Sequence, residues 1–151
     1  MKRKIILYFT VFILVEIITS CSANLSEKTF DELNIKIVDV QSWLNLMPGG
    51  PGSFHISGKY GMPENLDEKN IFLDKIIVID SGKEIYSLTA ELQFINNSPI
   101  GFKEFTFTNF YQTKIEPMLM QKDTIDIQLV FSVNGTSIKK DLNKIPLNRA
   151  Y

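Results

Sequence analysis

Two chemically distinctive side chains each occur once in the 151 residues: the thiol of Cys21 and the imidazole of His55. A thiolate is a much stronger nucleophile than a hydroxyl near neutral pH, so Cys21 is a candidate for covalent modification. Because there is no second cysteine, the chain forms no internal disulfide, and the fold must depend on an apolar core. His55 titrates near neutrality and is a candidate metal ligand or general base.

Cys21 follows a segment with the three parts of an export signal. Residues 2–4 are basic, Ile5–Val15 is almost entirely apolar, and Ile18-Thr19-Ser20 leads directly into the cysteine. The apolar run is shorter than the roughly 20 residues that a membrane-spanning helix needs. An aliphatic residue, two small residues and a cysteine in this order resemble the lipobox of bacterial lipoproteins.

This resemblance implies that residues 1–20 are a signal peptide and that Cys21 becomes the acylated first residue, carrying fatty acids such as palmitate. Each buried methylene contributes about 0.8 kcal/mol, so two or three chains hold a protein on a membrane durably. The expected partner is the lipid bilayer, and the expected location is the cell envelope. Ser22 favours the outer membrane if the envelope is Gram-negative. Residues 21–33 are predicted to be the lipidated amino terminus and a tether, and residues 34–151 a single domain.

The composition fits one globular domain, with 44% hydrophobic and 22% charged residues. Removal of residues 1–20 takes away three basic residues and one acidic residue, leaving a net charge of about −3. No basic block follows Cys21. Because nucleic-acid binding needs a concentrated basic patch, we predict no nucleic-acid partner.

The elements that must position any site are predicted to be strands. Apolar and polar residues alternate with period two in most of seven segments, and Gly, Pro and Asn clusters separate them. Residues 35–40 and 71–79 are apolar in both phases, which predicts a bulge or burial on both faces. Asn134-Gly135 between the last two segments predicts a two-residue type I′ turn. We therefore expect an all-β fold, an antiparallel β-sandwich of about seven strands, similar at the fold level to immunoglobulin-like domains of bacterial envelope proteins. The predicted segments are residues 35–40, 53–60, 71–79, 85–94, 102–110, 125–133 and 137–142.

The most unusual segment is residues 42–52, in which Trp43 and Met47 precede a run rich in glycine and proline. Aromatic side chains supply large, rigid contact areas, so these two residues are candidates for binding another envelope protein. The alternative is that Trp43 closes one end of the sandwich. The loop lacks the features of a phosphate-binding motif, since no Lys-Ser/Thr pair ends it.

Methionine sulfur together with one imidazole suits Cu(I), which gives an alternative function as a periplasmic copper carrier. Its ligands would be His55, Met118 and Met120, the two methionines sharing one face of an extended strand. A hydrolase is a second alternative, because Ser53 lies two residues from His55. No nucleophile-elbow motif surrounds that serine. We therefore predict a non-enzymatic binding or accessory domain without a cofactor.

Overall fold

A computed structural model of the protein describes residues 29–95, 99–109 and 112–151, most of which lie in strands. The predicted all-β, mainly antiparallel fold is confirmed. The predicted signal peptide and Cys21 lie outside the described residues. The strands are β1 (Lys36–Asn45), β2 (Ser53–Pro63), β3 (Ile71–Asp80), β4 (Lys83–Ile95), β5 (Phe102–Asn109), β6 (Thr113–Lys114), β7 (Thr124–Val133) and β8 (Thr136–Ala150), with a 3-10 helix at Pro117–Gln121.

Seven of these strands pair in a closed ring, in the order β1-β2-β5-β4-β3-β7-β8 and back to β1. All pairs are antiparallel except β1 with β8, which run parallel over Ser42–Asn45 and residues 147–150. The two facing sheets of the expected immunoglobulin-like sandwich are therefore not clearly separated, and the strands close into a barrel. Two long strands cause this closure. Residues 83–89 of β4 pair with β3 while residues 90–95 pair with β5, and β8 passes from β7 to β1 in the same way.

Two tight turns connect neighbouring strands and fix their pairing. At the turn between β7 and β8, Asn134 and Gly135 have φ angles of 50° and 79°. Positive φ at both central residues defines the type I′ turn, as the sequence predicts. Ser81 and Gly82 have φ angles of 52° and 78° in the turn between β3 and β4. Both turns match the twist of their flanking strands.

The barrel interior is filled by aliphatic side chains and by a cluster of aromatic rings around Tyr60, which is 1% exposed. Its ring stacks on Phe105 at 5.3 Å between centroids and meets Phe131 edge-on at 5.2 Å. Burial raises the pKa of the Tyr60 hydroxyl to about 12, and among the described residues this buried oxygen has no hydrogen-bond partner.

Residues 29–33, which the sequence assigns to the tether, pack on the barrel. Residues 29–32 form one helical turn, and Phe30 is only 2% exposed. The Phe30 ring meets Phe131 edge-on at 5.2 Å. Lys140 Nζ lies 5.4 Å from the centroid of the Phe30 ring and 3.7 Å from Asp31 Oδ1. Phe30 thus joins the hydrophobic core, and the domain already includes residue 29.

Candidate functional site

The outward side chains of β1, β2, β5 and β4 form a continuous polar surface. Strand alternation produces this surface, because Ile56, Tyr60 and Phe107 point inward and are almost completely buried. Their neighbours along each strand must point to the opposite side. We call this surface the polar face; it consists of Asp39, Gln41, Ser57, Lys59, Glu91, Gln93, Thr106 and Thr108.

Strand register arranges the polar face in two rows that run across the four strands. Residues that pair directly across neighbouring strands point to the same side, with Cβ atoms about 4.5–5.5 Å apart. The two rows are Gln41, Ser57, Thr108, Glu91 and Asp39, Lys59, Thr106, Gln93. A groove with a volume of about 570 Å³ lies between these side chains. This volume is within the range of small-ligand sites.

The hydrogen bonds within the polar face fix some of its groups. Thr106 Oγ1 donates to the Gln93 carbonyl at 3.3 Å, and Thr108 Oγ1 donates to the Ile56 carbonyl at 3.1 Å. Each hydroxyl oxygen keeps acceptor capacity after donating its proton. Gln41 Nε2 donates to Asp39 Oδ2 at 2.9 Å. The amides and carboxylates therefore supply both donors and acceptors on a rigid sheet.

At one end of the polar face, Trp43 of β1 stacks on His55 of β2. Their ring centroids are 5.3 Å apart with an interplanar angle of 12°. The two residues pair directly across the strands, which explains the contact. They continue the rows, since Trp43 follows Gln41 and His55 precedes Ser57 on the same outward side of each strand.

His55 also forms a hydrogen bond of 2.7 Å between Nε2 and Ser53 Oγ. Partial burial lowers the pKa of His55 from its ordinary value, so the neutral imidazole predominates at neutral pH. A neutral ring lets Nε2 accept the serine proton in one tautomer or donate to the serine oxygen in the other. Ser53 itself is 4% exposed, and this burial separates its hydroxyl from solvent.

Asn109 holds the strand on both sides of His55. Its Nδ2 donates to the Phe54 carbonyl at 3.2 Å, and its Oδ1 accepts from the Ile56 amide at 3.0 Å. These bonds satisfy backbone hydrogen-bonding groups of β2 at the point where its pairing changes from β5 to the short β6. Asn109 is 7% exposed, so the loss of either bond would leave a buried polar group unsatisfied. It is a positioning residue for His55 that the sequence analysis missed.

The two residues predicted to bind a partner have different surroundings. Trp43 is half-buried in its stack with His55, and it lies on the outer side of the barrel wall. Met47 follows the end of β1 and is 55% exposed. Trp43 therefore adjoins the end of the polar face, whereas Met47 lies beyond the end of its strand.

The extended strand predicted for Met118 and Met120 is wrong, because both residues lie in the 3-10 helix at Pro117–Gln121. Pro117 suits the first helical position, and the completely buried Leu119 fixes the turn on the core. Met118 and Met120 are 46% and 43% exposed. Among residues 29–95, 99–109 and 112–151, no group of three or more His, Cys, Asp or Glu side chains is arranged to hold a metal ion.

Comparison with known proteins identifies no family for this chain. No protein-family model matches the chain, and no curated protein is significantly similar to it. Within the part of the chain that the structure describes, no helix is both long and apolar enough to span a membrane. Functional inference for this protein therefore depends on the chemistry of its own residues.

Proposed function

We propose that this chain is a membrane-anchored envelope lipoprotein whose β domain is a non-enzymatic binding or accessory module. The observation that carries the binding role is the polar face, with its groove of about 570 Å³ on four paired strands. A site on strands holds its side chains more rigidly than one on loops. The anchor rests on the order of basic residues, apolar run, small residues and Cys21.

The tether between anchor and domain is short. Seven residues separate Cys21 from Thr29, and the eight steps between these two Cα atoms, at about 3.3–3.6 Å each when extended, reach at most roughly 29 Å. Phe30 then enters the core, so the chain is attached firmly to the barrel from its first described turn. The domain is accordingly proposed to work close to the membrane surface, on the outer membrane if the envelope is Gram-negative.

A binding role is favoured over hydrolysis because of the surroundings of Ser53. Its hydrogen bond to His55 has a length that an activated nucleophile requires. A nucleophile must also reach its substrate, and Ser53 is 4% exposed. The pair serves better as a fixed part of a binding surface, in which the serine orients the imidazole.

The strand order supports a relationship between this barrel and the immunoglobulin-like sandwich. Such sandwiches place strands A, B, E and D in one sheet and strands C, F and G in the other. With the minor strand β6 set aside, β1-β2-β5-β4 and β8-β7-β3 follow the same order. We propose that the domain is a closed variant of that fold, in which β4 and β8 join the two sheets.

Metabolic labelling with radioactive palmitate in a Gram-negative host tests the anchor. The wild-type chain should be labelled and sediment with membranes, and Cys21→Ala should lose both properties. Ser26→Ala, a similar change in the proposed tether, is the matched control and should behave as the wild type. An unlabelled wild-type chain, or label retained by Cys21→Ala, would refute the anchor.

A further inference from the structure

We propose that the polar face binds a neutral oligosaccharide. This inference deepens the proposed binding function by naming the ligand class for the same surface. It rests on the charge of the face, on its supply of donors and acceptors, and on the aromatic ring at its end.

The charge of the polar face excludes strongly charged ligands. Asp39 and Glu91 contribute two carboxylates, and Lys59 contributes one ammonium group. A surface with a slight negative excess repels polyanions such as nucleic acids and sulfated glycans. It also lacks the concentrated acidic charge that would attract a polycation. The ligand that fits this surface is polar and close to neutral.

The polarity of the polar face also argues against a protein partner at the groove. Protein interfaces place apolar and aromatic residues at their centre and polar residues at their rim. Here the outward positions at the centre are Ser57, Lys59, Thr106 and Thr108, all hydroxyl-bearing or charged. Burial of such a centre by another protein would remove water from many polar groups and provide little apolar contact.

The hydrogen-bonding groups suit a ligand that carries many hydroxyl groups. Each sugar hydroxyl donates one hydrogen bond and accepts others. Gln41 and Gln93 offer amide donors and acceptors, the carboxylates accept, and the threonine hydroxyls keep acceptor capacity after donating to the backbone. Neighbouring rows repeat these groups at the spacing of the sheet, so an extended chain of sugar rings can engage several of them.

Trp43 supplies the apolar complement. A sugar ring has polar edges and less polar C–H surfaces, and an aromatic side chain next to amides matches both. Trp43 is the next outward residue of β1 after Gln41, and its stack on His55 restricts the indole ring. A ring that is already fixed loses little conformational entropy on binding.

Isothermal titration calorimetry of the purified full-length chain tests this proposal. The detergent must lack a sugar headgroup, and the probes are cellohexaose, chitohexaose and maltohexaose, with heparin as the polyanionic comparison. We expect saturable binding of at least one neutral probe and no binding of heparin. The double variant Gln41→Ala with Gln93→Ala should weaken that binding by at least about tenfold, because two side-chain amides, each with a donor and an acceptor, are lost.

Gln128→Ala is the matched control. Gln128 is an outward glutamine on β7, away from the polar face, where its Nε2 donates to Asp141 at 2.7 Å. Its replacement should leave affinity unchanged. The proposal is overturned if none of the neutral probes binds at millimolar concentration, if heparin binds instead, or if the double variant binds as tightly as Gln128→Ala. Palmitate labelling does not involve this face, so failure here would leave the proposed anchor intact.

Discussion

Replacement of Gly58 by alanine should destabilise the barrel strongly, because no space exists for a methyl group. A Cβ atom at Gly58 would lie 2.4 Å from Phe107 Cζ and 2.5 Å from the Asp39 carbonyl oxygen. Carbon atoms in contact normally stay about 3.5–4.0 Å apart. Phe107 is 1% exposed and cannot turn into solvent, and the Asp39 oxygen belongs to the backbone of β1. Both β1 and the Phe107 ring would have to shift.

Overpacking of a well-packed core costs about 1–3 kcal/mol, occasionally more, and the two-sided contact at Gly58 places this variant near the upper end. We therefore expect Gly58→Ala to lower the free energy of unfolding by about 3 kcal/mol. Gly61→Ala, on the same strand, is the matched control, because its Cβ would meet nothing closer than 3.7 Å. That variant should be neutral or gain about 0.4–1 kcal/mol from reduced freedom of the unfolded chain.

Urea denaturation followed by the fluorescence of Trp43, the only tryptophan, measures both variants. With a slope of about 1–3 kcal/mol per molar urea, the two midpoints should differ by about one molar or more. Equal midpoints for Gly58→Ala and Gly61→Ala would refute the close approach of β1, β2 and Phe107 on which the shape of the polar face depends.

Three further predictions follow from buried groups. Phe30→Ala should lower the free energy of unfolding by about 3–5 kcal/mol. Phe94→Ala, at a 50% exposed position, is the control and should lower it much less. Similar losses for the two variants in urea denaturation would contradict the packing of residues 29–33. The NMR signals of His55 should titrate with a pKa below 6.5, and stability should decrease as pH falls below 6.5, because the folded state binds the proton less well than the unfolded state; a pKa at or above 6.5 would contradict its partial burial. Because the Tyr60 pKa is raised to about 12, stability should decrease as pH rises from about 10 towards 12, by up to about 3 kcal/mol. In Tyr60→Phe this loss of stability at high pH should be much smaller. A variant whose stability has the same pH dependence as the wild type would contradict the raised pKa of Tyr60.

Most of the strands were predictable because the alternation of apolar and polar residues along each segment agrees with the side of the strand that is buried. Alternation predicts one inward side of β4, formed by Tyr86, Leu88, Ala90, Leu92 and Phe94. The first four do pack against the core, whereas Phe94 is 50% exposed. The Asn134-Gly135 turn was equally predictable, since a pair of residues with positive φ strongly favours asparagine and glycine.

The closure and the polar face depend on tertiary structure. Alternation identifies Ser57, Lys59, Glu91 and Gln93 as outward residues but does not say which strands are neighbours. The rows require the pairing of β5 with both β2 and β4, and no local signal encodes that pairing. The part of β8 that pairs with β1 lies beyond the predicted segment 137–142, after Lys144 with a φ of 57° and Pro146.

Two other features differ in how much the local sequence indicates about them. Phe30 lies in a polar stretch without periodicity, and its burial becomes evident only through the contact with Phe131. Pro117 carried a usable signal, because proline is common at the first helical position and argues against a regular central strand. Pro117 therefore favours a turn over an extended strand at Met118 and Met120.

The central claim is that Cys21 is a lipid anchor from which the domain is displayed at a membrane. Mass spectrometry of the amino-terminal peptide from membrane-extracted protein tests it most directly. The account predicts a peptide that begins at Cys21 and carries the mass of at least two fatty acyl chains, without residues 1–20. A free thiol at Cys21, or a peptide that still contains the leader, would contradict the account.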